Sequence, residues 1–228
     1  MIVALNNKSN LDKNEFLDYL GKLNNIKTNS KLILCPTFIN IANFNSLTIS
    51  LGSQNVSSKN DGAYTGEVSA KDLNSYNVKY CIVGHSERRE YQKESDEEIK
   101  EKINRLIENN IIPILCIGET KQERINNSYK EILKKELDIL NDINNSNIII
   151  AYEPIWSIGT GIIPTKEEII EVFDFIKSII PNCKVLYGGS ANTNNIDMLK
   201  SINQIDGYLL GGLSLKPDDL QVFLDKLN

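Results

Sequence analysis

The sequence predicts an α/β fold: a single domain in which eight parallel strands and their outer helices close into a (β/α)8 barrel. Short apolar runs alternate with amphipathic helical stretches along the whole chain. The runs are nearly continuous and bounded by polar turns, which is typical of parallel strands covered on both faces. Eight such units in 228 residues leave about 28 residues per unit, the length of a βα repeat.

The predicted strands follow one another at regular intervals. They are MIVAL (1–5), LILC (32–35), ISLGSQNV (49–56), YCIVG (80–84), IPILCIG (112–118), NIIIAY (147–152), KVLYG (184–188) and GYLLGG (207–212). An open doubly wound sheet could hold the same order. Eight units with no strand left over favour closure into a barrel, for which about 250 residues are typical and ~200 suffice. No linker or Gly/Ser/Pro-rich break interrupts residues 1–228, which indicates one domain.

Helical periodicity accounts for the segments between the strands. Apolar residues spaced as on one face of a helix recur at Phe16, Leu20 and Leu23, at Ile99, Ile103, Leu106 and Ile107, at Ile169, Val172, Phe173 and Ile176, and at Leu220, Phe223, Leu224 and Leu227. The segment after the second strand is weaker, and Ile39 to Phe44 supports only a short helix.

Composition excludes several classes of function. The net charge of −5, with no Lys/Arg cluster, argues against a nucleic-acid-binding surface. No apolar run reaches the ~20 residues that span a bilayer, and the N-terminus lacks the features of a signal peptide. The cysteines, Cys35, Cys81, Cys116 and Cys183, lack metal-binding spacing and are interpreted as reduced residues of a cytoplasmic protein.

Chemically capable residues follow several of the predicted strands. Asn6 and Lys8 come after strand one, His85 after strand four and Glu153 after strand six. Glycine-rich turns follow strands seven and eight, at 188–190 and 211–212. Barrel enzymes place their functional groups at the carboxyl ends of the strands, so we expect these groups on one face.

Each of these residues also has a structural interpretation. Lys8 could be a solvated loop lysine, and Glu153 could be a surface turn residue before a proline. His85, the only histidine, could simply begin a helix. The glycines could serve only to form turns. Each structural interpretation is plausible singly, but the coincidence of these residues on one predicted face favours a functional site.

Five segments together carry a resemblance to a known family. VGHSERR, AYEPIWSIGTG, YGGS and GGLSLKP match the motifs of the triosephosphate isomerase family in order and spacing, and QNVSSKNDGAYTGE (54–67) resembles its subunit-contact loop. The resemblance covers essentially the full length. It implies a TIM barrel that interconverts dihydroxyacetone phosphate and glyceraldehyde 3-phosphate through an enediol(ate), with no metal and no cofactor.

The resemblance also implies roles for the catalytic residues. Glu153 matches the base, and His85 matches the electrophile that hydrogen-bonds the substrate oxygens. A helix starting at His85 would disfavour the imidazolium, and this family is itself a standard worked case of that effect. Lys8 would supply positive charge and Asn6 a second hydrogen-bond donor. Glu87 matches a carboxylate near the active site, and its alternative interpretation is a structural ion pair.

Phosphate binding and the lid are implied in the same way. The backbone amides of Ser190, Gly211 and Gly212 would hold the phosphate. PIWSIGTGIIP (154–164) resembles the family's lid, in which Gly159 would donate to phosphate on closure while Tyr187 and Ser190 would latch it. Lid closure would exclude water from the reaction.

The resemblance further implies a homodimer, in which Thr65 of loop 54–67 would enter the neighbouring subunit near Asn6 and Lys8. An Ω-loop folded back on its own barrel is the alternative. The chain departs from the family at Asn7, Ser9 and Ala4-Leu5, and it is about a tenth shorter than the fold's usual length. These departures concern the dimer contact and the placement of Lys8.

Two other functions are compatible with such a barrel. One is a non-catalytic sugar-phosphate-binding protein, although pure binding would need no base. The other is a different phosphosugar isomerase, which a shared phosphate site alone does not exclude. The pairing of HSERR with EPIWSIGTG favours the triose phosphate reaction over both.

Overall fold

The computed structural model describes residues 1–143 and 147–227 and contains a closed barrel of eight parallel strands. Each strand pairs with the next along the chain, and β1 also pairs with β8. The strands are β1 (Ile2–Asn6), β2 (Lys31–Cys35), β3 (Ser50–Ser53), β4 (Tyr80–Val83), β5 (Ile112–Ile117), β6 (Ile149–Tyr152), β7 (Lys184–Tyr187) and β8 (Gly207–Leu210). The predicted fold class is confirmed. Residues 144–146 and 228 of the predicted domain lie outside the described residues.

Helices follow the strands in chain order. They are α1 (Lys13–Leu23), α2 (Phe38–Ile41), α3 (Ala70–Ser75), α4 (Ser86–Tyr91), α5 (Asp96–Glu108), α6 (Lys121–Ile125), α7 (Tyr129–Asp138), α8 (Lys166–Ile179), α9 (Ile196–Leu199) and α10 (Pro217–Leu227). Two short 3₁₀ helices, Ile155–Ser157 and Gly212–Leu215, follow β6 and β8. The helix after β2 is short, as predicted.

Several predicted strands are longer than the observed ones, by one to four residues. β3 ends at Ser53 rather than at residue 56, because Gln54 and the following residues turn into the long loop before α3. β8 ends at Leu210, and Gly211 and Gly212 leave the sheet for the 3₁₀ helix. In contrast, β1 extends through Asn6, which places that amide on the last residue of the strand.

Alternate strand residues face different layers of the core. Val3 and Leu5 belong to the large cluster that contains the apolar faces of the helices, whereas Ile2 and Ala4 belong to a separate cluster of strand residues inside the barrel. Both sets are buried, and the strands therefore appear in the sequence as continuous apolar runs.

Local sequence determines where several helices begin. Four of them start with a capping box, in which a side chain caps the first turn and an acidic residue three positions later returns a hydrogen bond. The pairs are Asp12 with Glu15, Ser69 with Asp72, Thr120 with Glu123, and Thr165 with Glu168. No helix in the described part of the chain is long and apolar enough to cross a membrane.

Candidate active site

A cavity of about 320 Å³ opens at the carboxyl ends of the strands. Its lining includes all eight residues for which the sequence predicts a catalytic or phosphate-binding role: Asn6, Lys8, His85, Glu153, Gly159, Ser190, Gly211 and Gly212. The closed barrel brings them together because every strand points the same way and ends on the same face.

Glu153 and His85 face each other inside this cavity. Oε1 of Glu153 lies 3.3 Å from Nε2 of His85, and both residues are about 5% exposed or less. Burial works against the carboxylate, but His85, the Cys116 thiol and Lys8 outweigh it and hold the pKa of Glu153 below its ordinary value. The carboxylate is therefore ionised at neutral pH and able to accept a proton.

His85 is the N-cap of α4, as the sequence predicts. Its Nδ1 accepts a hydrogen bond from the backbone N–H of Glu87, at 3.2 Å, so the single proton of a neutral ring lies on Nε2. Nε2–H then points at Glu153. Burial lowers the pKa of His85, but the Glu153 carboxylate reverses this and raises the pKa above its ordinary value. The sequence predicts a lowered pKa for His85. The neighbouring carboxylate of Glu153 opposes that lowering for as long as the two side chains are in contact.

Lys8 lies beside this pair in a backbone conformation that few lysines adopt, with φ of 52°. Its backbone N–H donates to Oδ1 of Asn6 at 3.0 Å, and its Nζ lies 2.5 Å from Oε1 of Glu87. The sequence-based predictions give Gln54 no role of its own, yet its side-chain amide donates to the carbonyl of Lys8 at 2.8 Å. Nothing in the sequence around Gln54 signals this contact.

Glu87 lies outside the cavity that holds Glu153 and His85. It borders a neighbouring cavity, and its partner is the ammonium group of Lys8. This ion pair agrees with the structural interpretation of Glu87, and it orients a residue of the site. The second carboxylate oxygen of Glu87 lies 3.7 Å from Nδ1 of His85.

The predicted lid, residues 154–164, borders the cavity and contacts the loop after β7. The backbone N–H of Gly159 donates to Oγ of Ser190 at 3.0 Å, and that hydroxyl donates to the carbonyl of Ser157 at 2.5 Å. Gly159, the predicted phosphate donor, is therefore bound to Ser190 here. Tyr187, the second predicted latch, is buried, and burial raises the pKa of its hydroxyl while the side chain of Ser157 lowers it.

Glu119 contacts the start of the predicted lid, and the sequence-based predictions gave it no role. Its Oε1 accepts from the Trp156 indole at 3.1 Å and from the Tyr152 hydroxyl at 3.0 Å. Its backbone carbonyl accepts from Ile155 at 3.0 Å. Glu119 follows β5 at the carboxyl end of the barrel, so the rule that located Glu153 could also have singled it out.

Thr65 lies apart from this site. Residues 59–67 are exposed throughout, and Tyr64 is 47% exposed despite its aromatic ring. The turn at the tip is closed by the N–H of Glu67, which donates to the carbonyl of Tyr64. Earlier in the loop, Asn60 accepts a hydrogen bond from Arg105 on α5 at 3.1 Å, and Asp61 pairs with Lys71 on α3 at 2.6 Å.

Comparison with known proteins matches the chain to one family. The family model described as triosephosphate isomerase matches residues 1–227. A triosephosphate isomerase of Mesomycoplasma hyorhinis is 43% identical over 88% of this chain and 84% of that protein. One of Mycoplasmopsis pulmonis is 37% identical over 96% of this chain and 94% of its own length. One of Bacteroides fragilis is 38% identical over all of this chain and 98% of its own length.

Proposed function

Because the chain belongs to the triosephosphate isomerase family, we propose that it interconverts dihydroxyacetone phosphate and D-glyceraldehyde 3-phosphate, an aldose–ketose isomerisation of glycolysis and gluconeogenesis. The observation that carries this proposal is the buried pair of Glu153 and His85, 3.3 Å apart in a cavity that also contains Lys8. A base, a hydrogen-bond donor and a cation are the groups that proton transfer beside a carbonyl requires.

In the proposed reaction, Glu153 takes a proton from one carbon and returns it to the next. Its two oxygens reach both carbons with little movement of the side chain. His85 donates from Nε2 to the substrate oxygens and stabilises the enediolate, because its Nδ1 is occupied by the N–H of Glu87. Asn6 supplies a second amide, and the ammonium of Lys8 offsets the developing negative charge.

The phosphate group would bind at the turns after β7 and β8. Gly211 and Gly212 line the cavity beside Ser190, and the side chain of Lys8 passes over Gly211, where an added Cβ would lie 3.3 Å from Cε. Backbone amides at such turns are a recurrent phosphate site of barrel enzymes. The net charge of −5 makes this local attraction necessary for a dianionic substrate.

A coupled assay with glyceraldehyde 3-phosphate tests the proposal on the purified protein. We expect turnover to dihydroxyacetone phosphate without added metal or cofactor. Binding of the triose phosphates without turnover would instead support the non-catalytic alternative, and turnover of a larger phosphosugar alone would support the other isomerase. The ionised, buried Glu153 argues against the first of these, because a binding protein has no use for a base.

We also infer that the chain works as a homodimer in the cytoplasm. A second cavity, of about 380 Å³, lies beside the active site and is bordered by Lys8, Ser9 and His85. Its rim carries two exposed aromatic side chains, Phe38 (38% exposed) and Tyr91 (68% exposed). The exposed loop around Thr65 of a second copy would fill this cavity.

The four cysteines are free and buried, which suits a reducing compartment such as the cytoplasm.

Thr65→Arg is expected to yield a monomer with activity lowered by at least about tenfold, because the long charged side chain could not enter the neighbouring subunit. Sedimentation of the dilute protein under assay conditions measures both mass and activity. Thr48→Arg, an exposed threonine just before β3 at the opposite end of the barrel, serves as the control and should remain dimeric. A fully active monomer at any concentration would rule out the shared site.

Deletion of Ile158 to Thr160 is expected to weaken the binding of phosphate-bearing enediolate mimics by about tenfold or more and to increase phosphate release relative to isomerisation. The deletion removes the contact of Gly159 with Ser190 and exposes the intermediate to water. Ser190→Ala removes only the two hydroxyl hydrogen bonds and should give an intermediate effect. An unchanged ratio of released phosphate to isomerised product would contradict the gating role.

A further inference from the structure

Glu136 is a buried carboxylate that the proposed reaction does not use. It lies on α7, outside the barrel wall, among the apolar residues Leu133 and Leu137 that pack this helix on the sheet. An apolar side chain would serve this packing without the cost of burying a charge. The contacts of the carboxylate therefore indicate what it does.

One oxygen of Glu136 supports the backbone beneath the base. Its Oε2 accepts a hydrogen bond from the N–H of Gly118 at 2.9 Å. Gly118 lies directly against the backbone of Glu153, because a Cβ at this glycine would come within 1.8 Å of the Glu153 carbonyl oxygen. The N–H of Glu153 also donates to the carbonyl of Ile117, at 2.8 Å. A shift of residues 117–118 would therefore move Glu153.

The other oxygen faces the segment that carries His85. Oε1 of Glu136 lies 3.4 Å from Nε of Arg89. The same Nε donates to the carbonyl of Gly84 at 2.9 Å, and Gly84 immediately precedes His85. Arg89, Glu136 and Glu153 line the same small cavity, of about 10 Å³.

We propose that Glu136 is a positioning residue for the isomerisation, which holds from outside the barrel wall the two backbone segments that carry His85 and Glu153. One carboxylate thereby fixes the separation of the base and the hydrogen-bond donor. Errors of about 1 Å in such a separation can cost about 10²-fold in rate. This inference rests on the proposed isomerase activity.

The charge of Glu136 depends on pH within the neutral range. Burial raises its pKa to about 7, opposed by Arg89 on α4 and by the N–H of Gly118, while Asp96 on α5 and Glu123 on α6 raise it further. Above this pH the carboxylate is ionised and attracts Arg89. Below it the protonated group still accepts from Gly118, but its attraction to Arg89 is lost. Glu136→Gln imitates the protonated form at every pH.

Two variants separate positioning from simple packing. Glu136→Leu removes both contacts and is expected to lower kcat by about 10- to 100-fold with a smaller change in KM. Glu136→Gln keeps an acceptor for Gly118 and is expected to retain kcat within about threefold at pH 6 and to diverge from the unmodified protein as the pH rises through 7. Glu131→Leu, an exposed glutamate in the first turn of the same helix, is the control and should leave kcat unchanged.

The single histidine provides a second readout that does not depend on turnover. His85 alone contributes imidazole nitrogen resonances, and we expect Glu136→Leu to shift them while Glu131→Leu does not. Unchanged kcat and unchanged imidazole resonances in a folded Glu136→Leu protein would overturn the proposal. If that variant does not fold, a constant ratio of kcat between the unmodified protein and Glu136→Gln from pH 6 to 8 would overturn it. An inactive unmodified protein would refute the isomerase activity instead, and the resonances would still test the positioning.

Discussion

Glu153→Gln is expected to lower kcat by at least about 10²- to 10⁴-fold while the barrel remains folded, because the amide keeps the shape of the side chain but cannot accept a proton. The side chain is closely packed, since a Cβ on Gly188 would lie 2.7 Å from Cγ of Glu153. Glutamine has the same shape up to the amide group, and loss of activity would therefore report loss of the base. The measurement is turnover of glyceraldehyde 3-phosphate at saturating substrate.

Two further measurements distinguish loss of the base from misplacement of the side chain at position 153. Exchange of substrate carbon-bound hydrogen with D₂O should disappear in Glu153→Gln in step with turnover, because both need the same proton transfer. Glu153→Asp keeps a carboxylate but withdraws it from the substrate, and we expect an intermediate loss. Near-normal turnover or exchange in Glu153→Gln would show that another group is the base.

Lys8→Met is expected to lower kcat/KM by about 10²- to 10³-fold, the usual cost of removing one stabilising group from a developing oxyanion. Lys8 lines the same cavity as Glu153 and His85, and it contacts Glu87 through its ammonium group and Asn6 through its backbone N–H. The dependence of kcat/KM on salt should also weaken, because the local attraction for the phosphate dianion would be lost.

Lys216→Met is the matched control for this variant. Lys216 also borders the cavity, but its side chain is 69% exposed and lies near Asp219, at the outer edge of the site. We expect its removal to change kcat/KM by less than about tenfold, since exposed charges are screened by solvent. Equal losses in the two variants would mean that general positive charge matters and that the placement of Lys8 does not.

The position of His85 can be predicted from the local sequence, but the direction of its pKa cannot. Its position at the start of a helix follows from the sequence, since an apolar run ends at Val83 and a charged helical segment begins at Ser86. The direction of its pKa does not follow, because Glu153 comes from a different strand and reverses the effect of burial. Only closure of the barrel brings the two groups within 3.3 Å.

The sequence by itself determined the eight strands, their order in the barrel and the convergence of Asn6, Lys8, His85, Glu153 and two glycine-rich turns, because these depend on local periodicity and on one rule about the carboxyl ends of parallel strands. The place of Gly159 was implied by the family resemblance alone. The tertiary structure alone decided the contacts that hold these residues in place. Glu119 under the lid, Gln54 beneath Lys8 and Glu136 behind Glu153 act through hydrogen bonds between elements distant in the chain. Such contacts leave no periodic signal, because they depend on where packed helices and strands meet in space.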